Sequence, residues 1–325
     1  MNKIKFAILA PGGIANSMAE AVSQLEEIEC YAVASRNYDR AKSFADKWGF
    51  EKAYGSYEEM AKDPQVELIY VASPHSHHYP YAKLCLEHGK HVLLEKAFTV
   101  NAKQAEELIT LARSKGLLLA EAFWPRYMPS RKMIDDLIAQ GAIGEVHSVI
   151  ADFGAPLTHV ERLSNPELAG GALLDLGVYP LNLALQIFKS PVKDIKSSAV
   201  MSPQGVDWMN GITLTFEDGK MAVLHSNMLA YMENRGIING DKGYIEFNEI
   251  NNCQEIRVYN EQKEMTARYQ VPEQINGYEY EALACVRAIR AGQVECEEMP
   301  HSETLRLMKI LDAVREQWGF ALPCE

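Results

Sequence analysis

The stretch that decides the fold is Lys5-Phe6-Ala7-Ile8-Leu9-Ala10-Pro11-Gly12-Gly13-Ile14-Ala15. Its apolar run, Phe6 to Leu9, predicts a buried parallel strand, because such strands are apolar on both faces. The run stops at Pro11-Gly12-Gly13, and apolar periodicity from Ile14 to Leu25 then predicts a helix. A strand, a glycine turn and a helix in this order are typical of a dinucleotide-binding turn.

The turn matches the G-x-G-x-x-G/A pattern of such sites only in part. Ala10 stands where the first glycine is usual. Gly12 fits the second glycine, which lets the backbone approach a pyrophosphate, and Ala15 fits the third, which lets the helix pack closely on the strand. The helix N-terminus at Gly13 and Ile14 would offer free N–H groups to the phosphates. Any α/β protein can contain a similar tight turn, so the residues that follow have to decide.

Length and charge restrict the class of protein. A chain of 325 residues predicts two domains, and 23% charged with 47% hydrophobic residues is typical of soluble globular proteins. The net charge of −12, without a basic tract, argues against nucleic acid or an anionic membrane as a partner. Met1-Asn2-Lys3 shows no signal-peptide layout, and we expect no apolar run of membrane-spanning length.

The cysteines indicate a reducing compartment. Six are scattered along the chain without C-x-x-C spacing, and we interpret them as reduced thiols. With the composition, this predicts a cytoplasmic protein.

Strand and helix patterns alternate through the first third of the chain. The strands are predicted at 6–9, 28–34, 53–54, 68–72, 91–94 and 117–120, and the helices between them at 14–25, 38–48, 56–62, 79–87 and 102–114. Such alternation predicts βαβ units, hence a parallel sheet with helices on both faces and its ligands at the carboxyl ends of the strands.

The pattern changes near Phe123. After one more helix at 130–139, strands dominate, at 146–153, 192–200, 212–216, 221–227 and 235–239. An apolar helix at 173–188 interrupts them, and two amphipathic helices close the chain at 278–290 and 302–318. We therefore expect a mixed, largely antiparallel sheet after a doubly wound domain, in an α/β protein overall.

Ser35 and Arg36 follow the second predicted strand. An NAD enzyme typically has Asp or Glu there, about 20 residues past the glycines, to bind the ribose 2′-hydroxyl. A carboxylate would repel a 2′-phosphate, whereas a guanidinium binds it and stacks on adenine. Arg36, with Arg40 one helical turn later, therefore predicts NADP(H) in preference to NAD(H). The alternative is a pair of surface arginines on a solvated turn.

The segment Ser73-Pro74-His75-Ser76-His77-His78 follows the fourth predicted strand, at the ligand edge. Three histidines suggest a metal, but no carboxylate or thiolate partner is evident nearby, so no metal is predicted. We expect a loop against the nicotinamide ribose, with Pro74 restricting its backbone.

Glu95-Lys96 follows the fifth predicted strand. A lysine at this edge is a candidate acid/base or electrostatic group, because burial and neighbouring charges tune it readily. The alternative is a surface lysine paired with Glu95.

A second constellation lies in Ala169-Gly170-Gly171-Ala172-Leu173-Leu174-Asp175-Leu176-Gly177-Val178-Tyr179. Asp175 and Tyr179 are four residues apart and would share a helix face. Gly170 and Gly171 would provide a turn with room for a ligand. A buried Asp needs a partner, for which Tyr179 and a lysine of the other domain are candidates. The alternative is a structural Tyr–Asp pair in the core.

These segments together resemble the Gfo/Idh/MocA oxidoreductases, and within them the dihydrodiol dehydrogenase branch. Further segments support the resemblance: Lys52-Ala53-Tyr54-Gly55-Ser56-Tyr57-Glu58-Glu59, Glu121-Ala122-Phe123-Trp124-Pro125-Arg126, Asp152-Phe153-Gly154 and Leu157-Thr158-His159-Val160. The resemblance implies a Rossmann domain over 1–122 and an α+β domain over 123–325, with the option that the last helix packs back on the first domain. The second domain's open sheet commonly forms the subunit interface, which implies a homodimer or homotetramer.

The resemblance also assigns roles to residues. The family's Glu-Lys-Pro lysine falls on Lys96, its helix Asp on Asp175, and Tyr179 stands where most members have His, as in the dihydrodiol dehydrogenase branch. Ala97 replaces the proline, which loosens the φ restraint on the loop. The substrate pocket would include Trp124, Phe153, His159 and Tyr179. The predicted cofactor-contacting residues are Ala10, Gly12, Gly13, Ile14, Ala15, Ser35, Arg36, Arg40, Ser73, Pro74, His75, His78, Glu95, Lys96, Trp124 and Arg126.

The implied reaction is reversible hydride transfer between NADP(H) and a carbinol or carbonyl carbon of a sugar-like polyol or cyclic diol. Tyr179 would act as general acid/base, Lys96 would lower its pKa from the usual ~10, and Asp175 would orient the pair. Lys96 as the acid/base itself is an alternative. Two other classes remain: a sensor that binds NADP(H) without turnover, and an NAD-dependent glycoside hydrolase, against which Ser35-Arg36 argues.

Overall fold

The opening apolar run forms the centre of a six-stranded sheet in the computed structural model, which describes residues 2–325. Met1, part of the signal-peptide argument, lies outside the described residues. The strands are β1 (Ile4–Leu9), β2 (Ile28–Ala34), β3 (Lys52–Tyr54), β4 (Leu68–Val71), β5 (His91–Glu95) and β6 (Leu119–Ala122). Every pair in the sheet is parallel. Their spatial order is β3-β2-β1-β4-β5-β6. Successive strands are added on one side of β1 up to β3 and on the other side from β4 onward, and such sheets bind ligands at this switch point between β1 and β4.

The helices of this part follow the predicted alternation closely. They are α1 (Gly13–Val22), α2 (Tyr38–Trp48), α3 (Tyr57–Lys62), α4 (His78–Glu87) and α5 (Ala102–Lys115), and α6 (Pro129–Ala139) follows after the last strand of this sheet. The Ser56 hydroxyl caps α3 by accepting from the Glu59 N–H. The last predicted strand of this region begins two residues late, at Leu119, because Gly116 in the left-handed region and Leu117 complete the end of α5.

The second sheet has eight strands. They are β7 (Val146–Gly154), β8 (Val192–Met201), β9 (Asp207–Phe216), β10 (Met221–Asn227), β11 (Gly236–Gly240), β12 (Gly243–Phe247), β13 (Glu255–Asn260) and β14 (Met265–Gln270), in the order β14-β13-β12-β11-β7-β10-β9-β8. Only β7 and β10 pair in parallel, so the expected mixed, largely antiparallel sheet is confirmed. The sequence did not predict β12, β13 and β14, in which few side chains are buried.

Four further helices complete the chain: α7 (Glu161–Ser164), α8 (Val178–Ile187), α9 (Glu279–Arg290) and α10 (His301–Gln317). The predicted helix at 173–188 is in fact a π-helical turn, Leu173–Gly177, followed by α8. By length and composition Pro166–Ile187 could cross a membrane, so the expectation that no apolar run has that length is wrong. However, 94% of its most apolar window is buried inside the protein, as in the core helix of a globular protein.

The chain forms two compact units. The first contains the residues up to Tyr127 and Gln274–Leu305, and the second contains Met128–Glu273 and Arg306–Glu325. The domain boundary at residue 123 stays a prediction, since these units are defined by contacts and not by independent folding. The first unit holds the parallel sheet and the second holds the open sheet.

Candidate active site

The glycine turn after β1 keeps its backbone shape without the first glycine. Ala10 adopts φ +67°, in the left-handed region that L-residues rarely occupy. Its N–H donates to the Ala34 carbonyl at 3.0 Å, which joins the ends of β1 and β2. The turn therefore demands the conformation for which glycine is usual at this position, and Ala10 adopts it nonetheless.

The rest of the turn suits a diphosphate. No side chain caps α1 at Gly12, so none competes for the N–H groups of its first turn. A Cβ at Gly12 would meet only the Ala10 carbonyl, at 3.9 Å, so space is open beside it. Asn16 Nδ2 donates to the Gly12 carbonyl at 2.9 Å and Arg40 Nε to the Pro11 carbonyl at 3.1 Å. These bonds fix the backbone of the turn. One N–H of the Arg40 guanidinium is therefore already bonded to the protein.

Arg36 lies exposed just past β2, after the buried Ser35. Among residues 2–325, neither Arg36 nor Arg40 forms an ion pair with a carboxylate. Burial and the Arg36 guanidinium both lower the pKa of His77. Arg36 therefore lies close enough to the histidine segment to influence its charge. An unpaired guanidinium at this strand end fits an anionic group on the ribose.

The histidine segment is held by His78. This side chain is 1% exposed, and its Nδ1 and Nε2 lie 2.7 Å from the Ala97 carbonyl and 2.8 Å from the Ser73 carbonyl. Burial lowers the pKa of His78 to about 4, although the Ala97 and Ser73 carbonyls act to raise it. His78 therefore joins the loops after β4 and β5, with a backbone carbonyl next to each of its ring nitrogens.

Other groups of this segment remain suited to a ligand. The Ser73 hydroxyl is buried and has no hydrogen-bond partner among residues 2–325, which fits a polar group that a cofactor supplies. His75 is buried and meets the His78 ring edge-on. Nowhere in residues 2–325 do three His, Cys, Asp or Glu side chains form a group that could hold a metal ion.

Glu95 is buried and shapes the loop that carries Lys96. It accepts the Tyr70 hydroxyl at one oxygen and the Lys96 N–H, at 3.1 Å, at the other. The Lys96–Ala97 peptide is cis, and Ala97 is fixed through its carbonyl by His78. The loop is therefore restrained by Glu95 and His78, although the proline is missing.

Two further buried carboxyl groups belong to the same unit and escaped the sequence reasoning. Glu281, on α9, is fully buried, and neither of its oxygens has a hydrogen-bond partner in the described part of the chain. Burial, and after it the nearby Glu95, raises the pKa of Glu281 well above the usual range. Burial also raises the pKa of Glu121 to about 7, while Thr304 Oγ donates to it at 2.7 Å. No sequence signal connects Glu281 with Glu95, which lies far away along the chain.

Trp124 and Arg126 are also fixed within the first unit. Trp124 stacks on Tyr278, with ring centroids 4.5 Å apart and planes 6° from parallel. The Arg126 side chain is buried, donates to the Glu298 carbonyl at 3.1 Å and pairs with Glu303 at 3.4 Å, while its Nη1 has no partner. Tyr278 extends the aromatic surface predicted from Trp124.

The second unit holds Asp175, Tyr179 and Phe153. Asp175 lies in the π-helical turn and Tyr179 at the start of α8, and both are buried. The Phe153 ring, on β7, packs against Tyr179 with centroids 4.7 Å apart. A π-turn within a helix is frequently a functional feature. Lys96 belongs to the first unit.

The interpretation of Gly170 and Gly171 as room for a ligand is wrong. A Cβ at Gly170 would lie 2.4 Å from the Leu163 carbonyl oxygen, and one at Gly171 would lie 2.3 Å from Asp207 Oδ1. Protein atoms therefore fill both spaces. The glycines are needed because backbone and a buried carboxyl approach them too closely for any side chain.

His159, the remaining pocket residue of the prediction, lies exposed in the turn between β7 and α7. It makes no hydrogen bond or ion pair within the described chain. Its place in a substrate pocket stays a prediction. Arg162, which the sequence reasoning passed over, instead pairs with Asp175 at 3.0 Å.

Two family models match the chain. One, described as an oxidoreductase family with an NAD-binding Rossmann fold, matches residues 4–123, and the other, the GFO/IDH/MocA C-terminal domain, matches residues 132–246. Trans-1,2-dihydrobenzene-1,2-diol dehydrogenases of mouse and human are each 35% identical to the chain, and the matches cover 98% of both chains.

Solved structures agree with this match. The 3-ketoreductase KijD10 of Actinomadura kijaniata, in complex with NADP and TDP-benzene, has a TM-score of 0.88 and 28% identity over 97% of this chain and 98% of its own. An aldose-aldose oxidoreductase of Caulobacter crescentus has a TM-score of 0.89 at 22% identity over 98% of both chains, which shows a shared fold.

Proposed function

The chain belongs to the Gfo/Idh/MocA oxidoreductase family and is an NAD(P)-dependent oxidoreductase acting on a hydroxyl group, and from this premise we propose that it interconverts a carbinol and a carbonyl of a sugar-like polyol or cyclic diol with NADP(H). The observation that carries the proposal is the buried Tyr179 beside Phe153, close in sequence to the buried Asp175. The names of the dihydrodiol dehydrogenases and the 3-ketoreductase support the substrate class.

NADP(H) suits the residues of the first unit. The uncapped start of α1 and the open space at Gly12 would take the pyrophosphate, and Arg36 would take the 2′-phosphate. The unpartnered Ser73 hydroxyl and the loops joined by His78 would contact the nicotinamide half. When bound, the nicotinamide ring supplies or accepts the hydride.

Tyr179 is assigned to proton transfer. Oxidation of a carbinol releases a hydroxyl proton as well as the hydride from carbon, and a phenolic oxygen is a suitable acceptor that returns the proton in the reduction. Lys96, as a cation, is assigned to stabilise negative charge on the substrate oxygen. Asp175 is assigned to orient these groups. The Phe153 and Trp124 rings offer apolar walls to the C–H faces of a ring substrate.

The cofactor assignment is tested by titrating nicotinamide fluorescence with NADPH and NADH, followed by a screen of sugars, diols and α-dicarbonyls at the absorbance band of the reduced cofactor. We expect wild-type protein to bind NADPH more tightly. Arg36→Met removes charge-assisted hydrogen bonds worth about 1.5–3 kcal/mol, so it should weaken NADPH binding by about 10- to 100-fold and leave NADH binding unchanged.

Arg113→Met is the control, because Arg113 is an exposed arginine on α5 paired with Glu295. It should leave both affinities at the wild-type values. Tighter binding of NADH than of NADPH by the wild-type protein would contradict the assignment of Arg36.

The open face of the second sheet supports a homodimer or homotetramer. Val223 on β10 lies opposite Ile150 on β7, and both are 46% exposed, with Met221 at 43% along β10. An apolar patch in the middle of an open sheet is typical of an interaction site. Sedimentation should give two or four times 36.4 kDa, and a monomer at micromolar concentration would overturn the proposal.

A cytoplasmic location is proposed as well, and the six free cysteines support it.

A further inference from the structure

Arg162 forms an ion pair with Asp175 in which only the carboxylate is buried. Its Nη1 lies 3.0 Å from Asp175 Oδ1, and the arginine side chain is 46% exposed while that of Asp175 is 8% exposed. A buried carboxylate requires a charged or hydrogen-bonding partner, whereas a half-exposed guanidinium is satisfied by water. Loss of the pair would therefore remove a charged partner from a buried carboxylate, whereas the arginine would be solvated.

The fold places Arg162 beside Asp175 through backbone packing. Leu163 is buried in an apolar cluster with Ala172, Leu176 and Met228, which anchors α7 against the π-helical turn. The Gly171 N–H donates to the Leu163 carbonyl at 2.9 Å. A Cβ at Gly170 would stand 2.4 Å from that carbonyl oxygen and 2.9 Å from the Arg162 carbonyl oxygen. Only glycine permits this approach.

The other side of the π-helical turn is fixed independently. The buried Asp207 carboxylate accepts the Leu173 N–H at 2.9 Å and Asn210 Nδ2 at 2.8 Å. Asp207 thus holds the start of the turn, and Arg162 bonds one oxygen of the Asp175 carboxylate. The bond to Asp175 is the only side-chain hydrogen bond that Arg162 makes among residues 2–325.

We propose that Arg162 is a positioning residue, whose guanidinium holds the Asp175 carboxylate in one orientation for the proton transfer assigned to Tyr179. The proposal rests on the proposed function. It assigns Arg162 no contact with the substrate or cofactor: its effect passes through Asp175. A lysine at this position would keep the charge but lose the forked geometry of a guanidinium.

The first test needs no substrate. Protein labelled with carboxyl-¹³C aspartate is titrated by NMR, with the Asp175 and Asp207 signals assigned by Asp175→Asn and Asp207→Asn. In Arg162→Met, Asp175 should titrate about one pH unit higher than in the wild type, because an adjacent opposite charge is lost, and Asp207 should not move. An unchanged Asp175 midpoint overturns the proposal.

The second test is kinetic. Arg162→Met should lower kcat by about 10- to 100-fold, as loss of a supporting partner commonly does, with the KM for NADPH near wild type. Arg162→Lys should recover part of the loss, and methylguanidinium at millimolar concentration should recover part of it in Arg162→Ala. Arg268→Met, on β14, removes an ion pair with Glu255 on β13 and should have no effect.

The two proposals fail differently. A wild-type protein that binds NADPH but turns over no sugar, diol or dicarbonyl contradicts the proposed function, while the NMR result still decides on Arg162. An active enzyme in which Arg162→Met keeps wild-type kcat contradicts the role of Arg162 and leaves the proposed function in place.

Discussion

Ala10 has a backbone conformation that its side chain disfavours, at the centre of the nucleotide-binding turn. Its φ of +67° lies where an L-residue brings its Cβ too close to the following carbonyl oxygen. The turn keeps this shape because the Ala10 N–H is bonded to β2 and the next carbonyl, that of Pro11, is bonded to Arg40. The surrounding bonds thus offset the cost of the alanine.

Ala10→Gly should therefore stabilise the protein. Glycine removes a conformational cost of about 1–2 kcal/mol and adds some entropy to the unfolded chain, so we expect a gain of about 1 kcal/mol in the free energy of unfolding. Urea titration measures it. Ala15→Gly is the control, because Ala15 is buried in α1 at an ordinary helical position, where glycine should cost about 1 kcal/mol. A loss of stability in Ala10→Gly would show that the alanine methyl group is needed.

At the scale of residues, local patterns in the sequence predicted which side chains at strand ends could take part in binding or catalysis. They did not predict the distant residues that contact and orient these side chains. Arg36 could be singled out because it follows a strand and stands where a carboxylate is usual. The bond from His78 to the Ala97 carbonyl could not, because it joins two loops whose distance depends on the sheet. The same holds for Glu281, buried near Glu95 from a helix close to the end of the chain.

The π-helical turn before α8 is the element on which the proposed chemistry depends. The apolar periodicity of the sequence predicted one helix over this segment. Nothing in that periodicity indicated the change from π-helical to α-helical geometry at Gly177–Val178. Asp207, on β9, accepts the Leu173 N–H with one oxygen, and its other oxygen lies 2.3 Å from where a Cβ of Gly171 would be. This element combines contacts from α7 and β9, so the local sequence alone could not define it.

Asp207 should make stability depend on pH. Burial raises its pKa from the ordinary 3.8 to about 6, against the lowering effect of its bonds to Asn210 and Leu173. The folded state therefore binds a proton that the unfolded state releases, and this contribution is complete below pH 4 and is lost as the pH rises through 6. The loss amounts to roughly 2–3 kcal/mol.

Asp207→Asn removes this titration and keeps an oxygen that can accept both hydrogen bonds. Relative to the wild type, the variant should gain stability between pH 4 and pH 6 and keep a constant difference above pH 7. Denaturant titrations at pH 4, 5, 6 and 7 measure the difference. A difference that does not change with pH would show that Asp207 is ionised in the folded protein over the whole range.

At the scale of the whole molecule, the chain carries one set of groups in each unit. The parallel sheet presents the glycine turn, Arg36 and Lys96 at the ends of its strands, and the second unit presents Asp175, Tyr179 and Phe153 between a helix and the open sheet. The parallel sheet followed from alternation in the sequence. The last strands of the open sheet did not, because edge strands with exposed polar side chains resemble loops.

Lys96 and Tyr179 together are the residues proposed to carry the hydride-transfer reaction. The measurement is kcat with NADPH on a substrate found in the screen, for the wild type, Lys96→Met and Tyr179→Phe, with Lys83→Met on α4 and Tyr259→Phe on β13 as controls. Fluorescence titration checks that each variant still binds NADPH. Loss of a proton-transfer or charge-stabilising group should lower kcat by about 100-fold or more in the two site variants and leave the controls unchanged. Near-wild-type turnover by Lys96→Met would contradict the role proposed for Lys96.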